Sequence, residues 1–157
     1  MFSIGDMVCY PMHGIGKIEA IEEHEILGKT AEYYIMQLLS SRVTAMIPIK
    51  NAELVGLRDI ITADEAQDVI QYYQTTKPDI GSNNWNQRYR DNMDKLKAGT
   101  PQDVADVILC LKKRNSLKGL SSGERRMLAT AVNIFISELA YALSATEKEV
   151  QKKLKLH

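Results

Sequence analysis

Three histidines (His13, His24, His157) and two cysteines (Cys9, Cys110) are the side chains of this 157-residue chain best suited to hold a metal or attack a substrate, and they are scattered. Zinc sites draw Cys and His at short spacing, covalent catalysis sets a base beside its nucleophile, and phosphate loops need glycines at fixed intervals. None of these patterns occurs, so neither a metal nor a cofactor is expected. His13 stands in Tyr10-Pro11-Met12-His13-Gly14-Ile15-Gly16, where a proline and two glycines describe a tight strand-to-strand connection and leave the histidine structural or exposed. Gly14 and Gly16 alone do not make a nucleotide loop. The cysteines lie far apart in apolar contexts and read as two buried thiols rather than a disulfide.

Charge is more informative once it is taken locally. Lys plus Arg equals Asp plus Glu at 20 each, so the whole chain offers no electrostatic attraction to nucleic acid, membrane or acidic ligands. Residues 1–60 carry five basic and eight acidic side chains, a net of minus three, whereas residues 85–126 carry ten basic against five acidic, a net of plus five. That basic centre contains the only tryptophan, Trp85, with Arg88 and Arg90 following within about a turn and a half of helix. An aromatic at a helix start beside arginines suits stacking on a base while guanidinium groups hold phosphates. A second reading stays open: Trp85, Tyr89, Met93 and Leu96 have i, i+4, i+8, i+11 spacing, so all four could be core.

The elements that must position these residues divide the chain in two. Up to about Arg58 the apolar pattern is short and strand-like: Met7–Tyr10, Gly16–Glu25, Glu32–Leu38 and Val43–Ile47, the last ended by Pro48, with a piece at Val55-Gly56-Leu57 to close a small bent sheet or barrel. After Arg58 the period becomes helical. Thr62-Ala63-Asp64-Glu65 and Ser121-Ser122-Gly123-Glu124 have capping-box spacing, Thr146–Glu149 repeats it, and Thr100-Pro101 places a cap before a proline at the first helical position. Ala66, Val69, Ile70 and Tyr73 form one buried face; Val104, Val107, Ile108 and Leu111 another; Leu128, Ala131, Phe135, Leu139 and Ala142 a third. Lys77–Asn83 reads as the main loop of this half, and Gly99 and Gly119 as helix stops. The expected fold is α+β: a β module over residues 1–60 followed by an all-helical bundle over 61–157. No apolar run approaches the ~18 residues of a membrane span and the start lacks signal-peptide features, so a cytoplasmic protein without a membrane partner is expected.

Several of these residues together are recognisable. Gly5-Asp6-x-Val8-x-Tyr10-Pro11-x-His13-Gly14-x-Gly16, Ile47-Pro48 with Asn51-Ala52 and Gly56-Leu57-Arg58, Asn84-Trp85-x-x-Arg88-Tyr89, and Gly119-Leu120-Ser121-x-Gly123-Glu124-x-Arg126-Met127-Leu128 resemble the CarD/CdnL family of bacterial transcription regulators, in order and over nearly the whole chain. The resemblance implies a Tudor-like β module docked on the RNA polymerase β subunit and a helical domain on promoter DNA at the upstream edge of the transcription bubble. It implies a minor-groove wedge at Trp85 and backbone contacts from Arg88, Arg90 and Arg125, with Arg114 and Arg126 as further matches. On the polymerase side it points to His24, Met46, Ile47 and Pro48. Some relatives carry arginines where this chain has His24 and Met46, which implies a weaker docking surface or one tuned to a different β sequence. The β module also resembles the polymerase-interacting domain of transcription-repair coupling factor, but this chain carries none of that protein's motor domains.

Two rival functions follow from the same residues. One is a polymerase adapter whose helical half binds another protein; the other is a small hydrolase or transferase assembled from scattered residues, which no constellation supports. In the working complex the resemblance implies a monomer.

Overall fold

A computed structural model describes residues 1–156, which divide into two compact units, one ending at Ile60 and the other beginning at Ile61. The first holds five strands, β1 (Met7–Tyr10), β2 (Gly14–Ile26), β3 (Lys29–Leu38), β4 (Thr44–Pro48) and β5 (Arg58–Asp59), with a short 3-10 turn at Ile49–Asn51. The second holds five helices, α1 (Ala63–Thr75), α2 (Trp85–Ala98), α3 (Pro101–Lys118), α4 (Ser122–Leu143) and α5 (Glu147–Leu154). The fold is α+β, with an antiparallel β unit followed by helices.

The sheet is antiparallel in the order β4-β3-β2-β1-β5. Its ladder does not close into a barrel; β4 and β5 are its two edges. A register shift between Ile18 and Ala20 reverses the alternation along β2. Ile18 points into the core, while Ala20, Glu22 and His24 share the opposite face. Val8, Ile18, Tyr34, Met36 and Ile47 make the centre of the core, and the Phe2 amide donates to the Tyr34 hydroxyl at 2.9 Å. Gly16 is required by close approach: a Cβ there would come within 2.5 Å of the Gln37 carbonyl oxygen. The glycines of the β1–β2 connection are thus explained by the sheet, and exposed His13 packs its ring on Tyr10 at 4.4 Å.

The closing strand is not Val55–Leu57. Those residues are consumed by turns, with Val55 N–H bonded to Asn51 O, Gly56 N–H to Glu53 O and Leu57 N–H to Ala52 O, and Gly56 at φ +79°. Arg58–Asp59 pairs with β1 instead.

In the helical unit the caps form where their spacing predicts. Thr62 and Ser121 each complete a capping box, Asn84, Thr100 and Thr146 accept from the N3 amide, and Gly99 ends α2 at φ +74°. The buried faces of α1 and α3 contain all the residues expected there. On α4, Leu128 and Ala142 are only half-buried, because Met127, Ile134 and Ile136 take the inward positions. α4 is also long and apolar enough, by length and composition alone, to cross a membrane, which corrects the expectation of no such run. Its packing against α1, α3 and α5, with Glu124 and Glu138 buried along it, makes it the core helix of the unit. Cys9 and Cys110 are both buried, and burial pushes the Cys110 thiol up, away from the reactive thiolate form.

Candidate nucleic-acid and protein interfaces

The residue that opens α2 is the most exposed large aromatic of the helical unit other than Tyr141. Trp85 is 42% exposed, yet its ring is held on two sides. The indole N–H donates to Ser121 Oγ at 3.0 Å, and Tyr89, one turn on, stacks at 5.0 Å with the planes 21° apart. Ser121 is the N-cap of α4, so the cap that starts one helix also anchors the first residue of another. Trp85, Tyr89 and Met93 do not form a core stripe. They line a shallow surface groove with Arg90 and Lys97, and Leu96 alone of the spaced set is buried.

The face that α2 buries is mixed: Arg88 and Asn92 are polar, and Leu96 is apolar. Arg88 is 5% exposed, so its expected role as a free phosphate contact is corrected. Its Nε donates to Glu124 Oε2 at 2.7 Å and its Nη2 to Glu124 Oε1 at 3.2 Å, while Nη1 donates to the Ser82 carbonyl at 2.8 Å. The Arg88 hydrogen bond is the largest cause holding the Glu124 carboxyl below the usual carboxylate range. Arg114 is corrected for the same reason: it is 6% exposed, and Nη1 donates to the Ile80 carbonyl at 3.3 Å. Two buried arginines therefore pin carbonyls of the loop leading into Trp85. Inside a protein such charge-assisted bonds are strong and geometrically specific, which suits them to aiming a side chain. They position Trp85 instead of meeting a ligand from solvent.

The other predicted cations stay outside. Arg90 is exposed beside the Trp85–Tyr89 groove, Arg126 is exposed near the start of α4, and Arg125 is exposed while its guanidinium donates to the Leu120 carbonyl at 3.0 and 3.2 Å. Trp85, Arg88, Arg114 and Arg125 share a cleft of ≈730 Å³ with Lys118 and Ser121. Sequence reasoning missed Ser121, Glu124 and Lys118 as members of this site. The capping box identified Ser121 and Glu124 as helix starters, but nothing in a separation of 36 residues signals the Arg88–Glu124 pair. Among the described residues, no group of three or more His, Cys, Asp and Glu side chains gathers to hold a metal ion.

In the β unit the register separates the residues predicted for protein docking. Tyr33 pairs with Pro48, Ile35 with Met46 and Glu22 with Tyr33. Glu22, His24, Tyr33, Ile35, Met46 and Pro48 therefore occupy one face, beside the free edge of β4. Met46 is 44% exposed, and His24 holds Nε2 at 2.8 Å from Glu22 Oε1 while meeting Tyr33 edge-on at 6.0 Å. Ile47 is the exception. It is 2% exposed, because strand alternation turns it into the core, and so it is corrected as a docking residue.

Comparison with known proteins accounts for both units. Residues 2–61 match the family described as CarD-like/TRCF RID domain, an RNA polymerase-interacting domain, and residues 68–155 match CarD, C-terminal domain. The putative transcription factor YdeB of Bacillus subtilis (strain 168) is 36% identical over 156 residues, covering 96% of this chain and 98% of that protein. The solution NMR structure of the 72-residue N-terminal domain of Myxococcus xanthus CarD is 25% identical, covers 38% of this chain and 79% of its own, and superposes with a TM-score of 0.33.

Proposed function

The chain belongs to the CarD-like family of transcription factors, and from that premise we propose that it binds the β subunit of RNA polymerase through its N-terminal unit and stabilises the open promoter complex through its helical unit. The observation that carries this reading is Trp85, an exposed aromatic whose ring is held by Ser121 and Tyr89 before any ligand arrives. A pre-set ring loses little conformational freedom on binding. Insertion of an apolar ring at a base step costs a few kcal/mol of unstacking in intact duplex and less where the strands have already parted. Trp85 therefore favours the open form. Exposed Arg90, Arg125 and Arg126 supply phosphate contacts around it without reading sequence.

Attachment to polymerase makes this modest surface sufficient. A few phosphate contacts alone give weak, salt-sensitive binding, whereas docking of the β unit through His24, Met46 and Pro48 raises the effective concentration of the helical unit at the promoter. The protein works in the cytoplasm, as a monomer, at many promoters, with an effect set by how readily each bubble collapses.

The test is the lifetime of the open complex formed by the cognate polymerase alone, with the native protein, and with Trp85→Ala. Stacking of an aromatic on a base contributes about 1.4 kcal/mol within its usual range, so the variant should shorten the lifetime roughly tenfold relative to the native protein while remaining folded and bound to β. A native protein that extends no lifetime at any promoter removes this function and leaves a polymerase adapter.

A further inference from the structure

α3, α4 and α5 line a second cavity, of ≈500 Å³. It exists because one stripe of α4 is only partly covered. Arg125, Leu128, Ala129, Val132, Asn133 and Ile136 recur at the spacing of one helix face, yet Leu128 and Val132 stay half-buried and Ala129 is exposed. With the buried Leu120, Ile136 and Leu156 they make an apolar floor that runs roughly 16 Å along the helix. The walls add charge at one end. Lys112 Nζ donates to the Lys155 carbonyl at 3.3 Å, which brings the C-terminal half of α3 to the end of α5, and the Leu120 carbonyl holds Arg125. Among the described residues no carboxylate pairs with Lys112, Arg125 or Lys155. The one carboxylate of the lining, Glu147, opens α5 at ~12 Å of helix from Lys155. All three cations are exposed, so water satisfies them in the free protein. What distinguishes the cavity is that positive charge without a protein counterion borders an apolar floor. Thirteen residues line it, against about 20–30 a side in a stable protein interface, while its volume lies within the ~300–1,000 Å³ of small-molecule sites. Size therefore favours a small molecule over a partner protein or a second copy.

We infer that this cavity binds a small aliphatic anion, with the chain on the Leu128–Val132 floor and the head group among Lys112, Arg125 and Lys155. Burial of the chain supplies affinity, and charge-assisted hydrogen bonds to the head group fix its direction. Asn115, Leu120 and Arg125 line both this cavity and the cleft beside Trp85. A ligand anion at Arg125 thus competes with a promoter phosphate, and bound ligand weakens the hold on the open complex. That consequence rests on the DNA contact proposed above; the site itself does not.

The full chain, isotope-labelled at its methyl groups, is titrated by NMR with decanoate, with the uncharged decan-1-ol and with acetate, which has the charge without the chain. Decanoate should shift the methyl signals of Leu128, Ala129 and Val132. Lys112→Ala should weaken that binding about tenfold, while Lys113→Ala, an exposed lysine outside the lining, leaves it unchanged. Ala129→Trp, which fills the floor from an exposed position, should abolish the shifts in a protein whose spectrum is otherwise folded. Decan-1-ol or acetate binding as tightly as decanoate overturns the inference, as does decanoate binding that Lys112→Ala and Ala129→Trp leave intact. Groove signals that move on dilution without any ligand assign the cavity to a second copy and also overturn it. Open-complex lifetimes with and without decanoate then test the consequence. Shortening with the native protein, but not with Ala129→Trp or with polymerase alone, supports it. A lifetime that the native protein extends and that bound decanoate leaves unchanged removes the competition and leaves the site. A native protein that extends no lifetime removes the DNA reading, and the NMR titration decides the site separately.

Discussion

The outer face of the β-sheet and the tryptophan cleft of the helical unit present side chains to solvent by different physical means. On the sheet, alternation is enough: Met46 points outward because Ile47 points inward, and one bulge in β2 sets Glu22 and His24 on the same side. Such a face can change its exposed residues without disturbing the core beneath. At the cleft no periodicity presents Trp85. It sits at the first residue of a helix, held by a cap of another helix, and approached by a loop whose carbonyls are bonded to Arg88 and Arg114. The groups that aim the tryptophan are also groups that hold the fold. The sheet face can therefore change its exposed side chains independently of the fold, whereas the cleft is coupled to stability.

The most severe test of that contrast is Glu124→Ala. It leaves the buried Arg88 charge unmatched, and should cost the helical unit about 3–5 kcal/mol, read as a lowered denaturation midpoint. A loss under about 1 kcal/mol would show that cleft and fold are not coupled. On the sheet, Ile47→Ala should cost about 2–5 kcal/mol by opening a cavity, while Met46→Ala stays within about 0.5 kcal/mol. Only the Met46 variant should weaken polymerase binding at unchanged stability, and a pull-down with the β subunit measures this. Ser121→Ala removes the α4 cap and should cost about 1 kcal/mol. Because it also releases the indole N–H, the open-complex lifetime should fall between those of the native protein and Trp85→Ala.

The gentlest perturbation is acid. Hydrogen bonding to Arg88 holds the folded Glu124 carboxyl below its unfolded value of 4.5. A depressed carboxylate contributes its full stabilisation above the unfolded value and loses it as pH falls through the folded one. Stability of the helical unit should decline over that acidic window, and Glu124→Gln should flatten the decline. A native and a Glu124→Gln protein with parallel pH profiles would shift the acid sensitivity to other carboxylates.

Nearly all the elements were legible because their signals are local. Thr62, Asn84, Thr100, Ser121 and Thr146 cap helices through contacts three residues away, and Gly99 ends a helix by its own backbone freedom. The closing strand was misplaced by a few residues because Val55–Leu57 has strand-like composition, while turn hydrogen bonds around Gly56 decide its path. The site was legible only in part. Arg90, Arg125 and Arg126 are exposed, and so is Trp85, which its spacing alone left free to be core, but Arg88, Arg114 and Ile47 are buried.

By itself, then, the sequence determined the two-part α+β organisation, the helix boundaries and the location of a basic, tryptophan-bearing segment, since these follow from short-range periodicity, capping and charge. Only the tertiary structure decided which arginines face solvent. Burial of a charge depends on whether a carboxylate or carbonyl distant in the chain arrives to meet it, as Glu124 meets Arg88 across 36 residues, and no local pattern encodes that meeting.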